Sequence, residues 1–189
     1  MQHPVIENIL QRSSVRKYTE QKVEPELLKI LEQVAMASPT ACNFRAIRYT
    51  FITDSEVIAD ISKAKFADLE IKGDHAKIKQ LKERHDSVLF AAPLYIIISG
   101  PQDDKYRYTD IDAGIGVQSL CLAAKALGLE SCIINNTKEV FAKDHPSQMW
   151  QKVKLPAEHE FFTSVVIGYG AKEKKPHEFE PSQIYYLED

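Results

Sequence analysis

Three short stretches of this chain concentrate side chains able to do chemistry. In Arg12-Ser13-Ser14-Val15-Arg16-Lys17-Tyr18, two arginines and two hydroxyls fall within five residues. Forked guanidinium donors and short serine hydrogen bonds can converge on an anion, although a plain solvated charge cluster has the same composition. In Ser38-Pro39-Thr40-Ala41-Cys42-Asn43-Phe44-Arg45, a proline stops a helix and a polar loop leads into a strand. Thr40 and Asn43 offer neutral donors and acceptors suited to the amide-like edge of a flat heterocycle; ordinary turn chemistry uses the same residues. In Asp110-Ile111-Asp112-Ala113-Gly114-Ile115-Gly116-Val117-Gln118, glycines at a helix start permit close approach of a ligand or of another helix. Gly114-x-Gly116 is not a dinucleotide fingerprint, because Val117-Gln118-Ser119 follows.

Other chemistries lack their marks. There is no P-loop and no G-x-S-x-G elbow. Cys42, Cys121 and Cys132 are an odd set without C-x-x-C spacing, and the six histidines are scattered singly. We therefore expect no metal site and no disulfide framework, with three reduced thiols in or near the core. A net charge of −3 gives no basic excess for nucleic acid. No window approaches the roughly 18 apolar residues of a membrane span, and Met1 to Gln11 has no secretory pattern. The expectation is a soluble, cytoplasmic protein of one domain, residues 1–189.

The elements that must position these stretches follow from periodicity. A helix is expected from Pro4 to about Arg12, with Val5, Ile6, Ile9 and Leu10 on one face, and a second from Pro25 until Pro39 stops it. Ile47–Thr53 reads as a strand, and residues 55–89 as helix broken near Gly73 with a solvated charged face of Lys77, Lys79, Lys82, Glu83 and Arg84. Pro93–Ser99 is apolar without alternation, as in a strand buried on both faces. A long, nearly all-apolar helix runs from Thr109 to Leu127 and ends at Gly128. A short strand at Cys132–Ile134, a helix over Lys138–Val153 and a strand at Phe161–Ile167 complete the set. The tail ends in Ile184-Tyr185-Tyr186-Leu187, which has strand character and should bury against something. Helices and strands mix without strict alternation, which favours α+β.

Taken in order, R-S-S-V-R-K-Y, S-P-T-A-C-N, the D-A-G-I-G-V-Q-S-L-C-L-A-A-K-A-L-G-L-E-S-C helix and V-V-I-G-Y-G resemble the nitroreductase family over almost the whole chain. The resemblance implies an α+β sandwich with a central, mainly antiparallel sheet flanked by helices. It implies an intertwined homodimer whose C-terminal strand joins the partner's sheet, and one FMN at each end of the interface. Arg12, Ser13 and Ser14 match the stretch that holds the FMN phosphate and ribityl chain, and Arg16 the basic residue beside the ring's pyrimidine edge. Thr40 and Asn43 match a loop reaching the flavin from the other subunit, and Ile134 to Asn136, with Asn135 between them, would lie near the ring. NADH or NADPH would reduce the flavin, and an electron-poor aromatic or quinone-like acceptor would reoxidise it. Arg16 is the candidate for tuning the flavin, and no catalytic acid or base is identified. A flavin-binding or sensory dimer, or dehalogenation or enone reduction on the same fold, is the alternative. Two departures stand out: Arg45-Ala46-Ile47 replaces the family's frequent Gln-Pro-Trp, and Lys174-Lys175-Pro176-His177 replaces a C-terminal Lys/Arg pair, with Lys175 or His177 in the arginine's role.

Overall fold

The computed structural model describes residues 3–85, 87–102 and 106–187. Its centre is a four-stranded sheet in the order β1 (Arg48–Ile52), β2 (Leu94–Pro101), β4 (His159–Gly168), β3 (Glu130–Ile133), and all three ladders are antiparallel. β2 is fully buried from Leu94 to Gly100, so its unalternating sequence serves both faces. Leu94, Ile96 and Ile98 pack with Leu31 and Ala35 of α2 (Pro25–Ala37) and with Val117, Leu120 and Cys121 of α5 (Thr109–Ala126). Tyr95 and Ile97 point the other way, into a core with Ile58 and Ile61 of α3 (Ser55–Ile71) and Ile78 and Leu81 of α4 (His75–His85). Side chains alternate across a strand, so one apolar run supplies two cores. The architecture is α+β with helices on both faces of the sheet.

Local signals placed most boundaries. Asp54 Oδ1 caps α3 by accepting from the Glu56 amide at 2.9 Å. Gly73, at φ 67°, separates α3 from α4, and Gly128, at φ 76°, ends α5 with the Leu129 amide donating to the Ala124 carbonyl at 2.8 Å. Lys77, Lys79, Lys82 and Glu83 are exposed, while the Arg84 side chain lies outside the described residues. α4 stops at His85 instead of continuing to residue 89; Ser87 to Ala91 form a turn in which Phe90 and Ala91 have positive φ.

Two expectations need correction. The helix expected over Lys138–Val153 is two pieces, a 3₁₀ turn at Lys138–Phe141 and a single-turn helix α6 at Met149–Lys152. Pro146 breaks the intervening ladder, and Gln148 turns left-handed at φ 52°. The loop between is tied down instead by the His145 ring, whose Nε2 lies 2.7 Å from Asp68 of α3 and whose Nδ1 lies 2.7 Å from the Ser147 hydroxyl. Ile184–Leu187 forms no strand in the single chain: a 3₁₀ turn at Pro181–Gln183 leads into an exposed extended end. A strand needs a ladder partner, and none of the described residues pairs with these in the sheet; the expected strand was one completed by a partner subunit. The cysteines also divide. Cys121 and Cys132 are buried, but Cys42 is exposed at the tip of the loop after α2. Burial pushes the Cys121 and Cys132 thiols up.

The apolar face of α1 (Pro4–Gln11) forms as expected, yet within the chain it is open: Val5, Ile6, Ile9 and Leu10 are all exposed.

Candidate functional site

The segment after α1 is an extended strap laid across the end of the sheet. Ser14 bridges Ser131 of β3 in parallel, and the Val15 amide donates to the Ser131 carbonyl at 3.0 Å. Further along, Tyr18 bridges Gly170, the Thr19 amide donates to Tyr169, and the Ala171 amide donates to Lys17 at 2.9 Å. Extended backbone alternates its side chains. Ser13, Val15 and Tyr18 are buried, whereas Ser14 is half-buried and Arg16 exposed. The Tyr18 hydroxyl donates to the Val15 carbonyl at 2.8 Å, bracing the strap from beneath.

Against this strap runs the chain leaving β4. The Lys174 ammonium donates to the Ser14 carbonyl at 3.2 Å, and the Arg12 guanidinium lies 3.4 Å from His177 Nε2. Arginine only donates, so Nε2 is the acceptor in this contact. A cavity of about 290 Å³ lies between the two segments, lined by Ser14, Arg16, Lys17, Lys172 and Lys174, with Glu173 the one acid. Four cations against one carboxylate suit an anion with several oxygens.

Arg16 also borders a second cavity of about 210 Å³, lined by Ile133, Ile134, Asn135 and Asn136 on one side and Lys77, Gln80 and Leu81 of α4 on the other. Ile134 is held by its amide, which donates to Ser164 at 2.8 Å, and Asn135 Oδ1 accepts from the Thr163 hydroxyl at 2.8 Å. Among the described residues Asn136 Oδ1 is buried without a hydrogen-bond partner. An orphaned buried polar atom is costly, which leaves this one open to a ligand's hydrogen bond. Arg16 lines both cavities, so the cation-rich one and the one beside Ile134 to Asn136 adjoin.

Thr40 and Asn43 are elsewhere. Their loop borders a different cavity, of about 220 Å³, shared with Met36, Arg45 and Tyr49, and it has no hydrogen bond to the Arg12 cluster. Thr40 Oγ accepts from the Arg45 amide at 3.0 Å, and Asn43 Oδ1 accepts from Arg45 Nε at 2.9 Å. Gly116 of the third motif is a packing glycine: a Cβ there would collide with the Tyr49 ring, whereas Gly114 faces open space.

Two features escaped the sequence reading. Lys174, not Lys175, reaches the strap; Lys175 is exposed and lines neither cavity. Since Ala171 pairs with Lys17, alternation puts Lys172 and Lys174 on the same side, which the tail's sequence alone does not reveal without that register. The other is Asp112, which is 1% exposed and accepts from the Ala41 amide at 3.0 Å and from the Tyr106 hydroxyl. Burial and the adjoining Asp112 carboxylate push the Tyr106 phenol up to about 12.

The chain matches the Nitroreductase family over residues 9–169, and it belongs to that family. Its fold is similar to a nitroreductase with bound FMN from Desulfitobacterium hafniense DCB-2, with a TM-score of 0.91 at 24% identity over 100% of both chains. It is also similar to a nitroreductase with bound FMN from Bacteroides fragilis NCTC 9343, with a TM-score of 0.82 at 21% identity over 99% of this chain and 100% of that one. A nitroreductase family protein from Clostridium difficile 630 is 25% identical, with a TM-score of 0.71, over 100% of this chain and 99% of that one. No helix among the described residues is long and apolar enough to cross a membrane.

Proposed function

We propose that this chain, as one nitroreductase-like domain over residues 1–189, is an FMN-dependent NAD(P)H oxidoreductase that works as a homodimer. The observation that carries the reading is the strap. Arg12, Ser14, Arg16, Lys174 and His177 converge at one end of the sheet, beside the orphaned Asn136 Oδ1, in a member of this family. FMN bound there would supply the redox chemistry between NADH or NADPH and an electron acceptor. Arg12 and Lys174, with Ser14, hold the phosphate end, and Ile134 to Asn136 bound the ring end. Donor and acceptor use one open site in turn, which predicts ping-pong kinetics with nitroaromatic or quinone-like acceptors. Protons come from water, and no side chain is assigned as acid or base.

The dimer rests on what the single chain leaves uncovered. The apolar face of α1, the edge of β1 and the tail residues Ile184, Tyr185, Tyr186 and Leu187 are all open. Apolar surface on this scale marks an interaction surface, and a second copy supplies a sheet edge for the tail and a matching tail for β1. In such a pair the Thr40–Asn43 loop serves the neighbour's site.

A visible absorbance spectrum of freshly purified protein tests the cofactor directly. Two flavin bands that become free FMN on denaturation, and that bleach anaerobically with NADH or NADPH, are expected. A colourless protein that takes up no added FMN would defeat the proposal.

Arg16 is placed to stabilise the negative charge that a flavin gains on reduction. A fixed cation aimed at developing charge contributes up to a few kcal/mol, so Arg16→Ala should lower the flavin midpoint potential by some tens of millivolts. Redox titration against a reference dye reads this out, and an unchanged potential removes Arg16 from the role.

A further inference from the structure

The Thr40–Arg45 loop is held in a shape it would not keep unaided. Cys42, Asn43 and Arg45 have φ of 51°, 55° and 52°, left-handed conformations that non-glycine residues rarely adopt. Such a loop persists only when its surroundings over-determine it. Two residues from outside do so here. Asp112, in the first turn of α5 and 1% exposed, accepts the Ala41 amide at 3.0 Å and the Tyr106 hydroxyl. The Ala41 carbonyl accepts from the Phe44 amide at 3.0 Å, so both polar groups of that residue are met, and the Tyr106 hydroxyl, whose one proton goes to Asp112, lies 3.4 Å from the same carbonyl. The Tyr106 ring in turn carries Phe44, stacked at 4.6 Å between centroids and 26° between planes, and Tyr108 packs edge-on at 6.0 Å.

The fixed shape has a chemical consequence. Within the loop, Arg45 occupies Thr40 Oγ and Asn43 Oδ1 as acceptors. One lone pair on each oxygen is thereby used, and the Thr40 hydroxyl proton and the Asn43 amide protons remain available as donors. Beside them Phe44 is 63% exposed, an aromatic face resting on a rigid base. A row of donors next to an aromatic face suits a planar ring bearing oxygen acceptors.

We infer that Asp112 and Tyr106 form a positioning clamp that presets the Thr40–Arg45 loop to recognise a planar, oxygen-bearing ring, either the cofactor's edge or the electron acceptor. The assignment of that ring to this site rests on the function proposed above. Neither clamp residue touches the ring; both act through the Ala41 peptide and Phe44.

The test uses full-length Asp112→Asn and Tyr106→Phe proteins and reads three quantities. Amide hydrogen exchange of the peptide spanning residues 40–45 should speed up roughly tenfold or more in both, while peptides from β2 and β4 are unchanged. In the flavin-loaded enzyme, either the FMN Kd or the KM for a nitroaromatic should rise roughly three- to tenfold, with kcat within about twofold. A rise in Kd assigns the loop to the cofactor, and a rise in KM alone to the acceptor. Unchanged exchange at 40–45 in both variants would overturn the clamp, as would a loosened loop with Kd and KM both unmoved. Should Asp112→Asn loosen the whole protein, Tyr106→Phe decides, because it keeps the ring that supports Phe44. A chain that takes up no FMN defeats the proposed function, and the exchange measurement still decides whether the clamp holds the loop.

Discussion

Replacing Arg12 with alanine is expected to weaken FMN binding by about two orders of magnitude while leaving the fold in place. The backbone of Arg12 caps α1 by donating to the Asn8 carbonyl at 3.1 Å, and alanine preserves that bond. What goes is the guanidinium, which meets His177 at 3.4 Å in an exposed contact. A hydrogen bond to a charged group contributes about 1.5–3 kcal/mol, and each 1.4 kcal/mol is about tenfold in affinity. The forked group makes two such bonds to a phosphate, and solvent screening at a partly open site takes back some of the gain. Arg12→Lys should fall between, because an ammonium keeps the charge and loses the fork. Titration of apoprotein with FMN, followed by flavin fluorescence, gives the constants. Lys175→Ala is the control: its side chain is exposed and meets none of the described residues of the strap, whereas Arg12 meets His177, so its affinity should match the parent's. Equal affinity for Arg12→Ala and the parent would take the phosphate away from the strap.

How much of this was legible beforehand depended on whether the signal was local. The apolar run of β2, the caps at Asp54 and Gly128 and the break at Gly73 are decided by neighbouring residues, and each appears within a residue or two of where sequence places it. The clustering of cationic and hydroxyl side chains from Arg12 to Lys17 was readable for the same reason. Pro146 was equally local and should have split the expected Lys138–Val153 helix, but the apolar spacing of the flanks outweighed it. Register was not legible. Whether Lys174 or Lys175 meets the strap turns on the single bond from the Ala171 amide to Lys17, and a slip of one residue would exchange them. Asp112 was hidden differently. An acidic residue in the first turn of a helix reads as a favourable helix-dipole charge, and only the tertiary contact with Ala41 and Tyr106 shows that it is buried. The tail's strand character belongs to a question one chain does not contain.

The strap's dependence on close packing leads to the largest expected effect on stability. A Cβ on Gly168, the last residue of β4, would sit 2.5 Å from Cδ and 2.9 Å from Cγ of Pro93, and 3.2 Å from Cδ1 of Tyr18. None of these atoms can withdraw cheaply. The Pro93 ring is rigid and immediately precedes Leu94, whose register against Ile167 fixes β2 on β4. Tyr18 is 7% exposed and tied through its hydroxyl to Val15. Gly168→Ala should therefore cost about 1–3 kcal/mol, as overpacking of a filled core does, and this outweighs the modest benefit of removing a glycine from a strand. For a chain of this length, 1 kcal/mol lowers Tm by about 2–4 °C, so a thermal melt should show a loss of several degrees. Relief by moving Tyr18 would pull on the strap, since Tyr18 bridges Gly170 and its neighbour Thr19 donates to Tyr169. FMN affinity should then fall together with Tm, although Gly168 lines neither of the two cavities. A variant with reduced Tm and unchanged FMN affinity would show that the strap holds its shape independently of the sheet end. An unchanged Tm would show that Pro93 yields more easily than its ring and its place before β2 suggest.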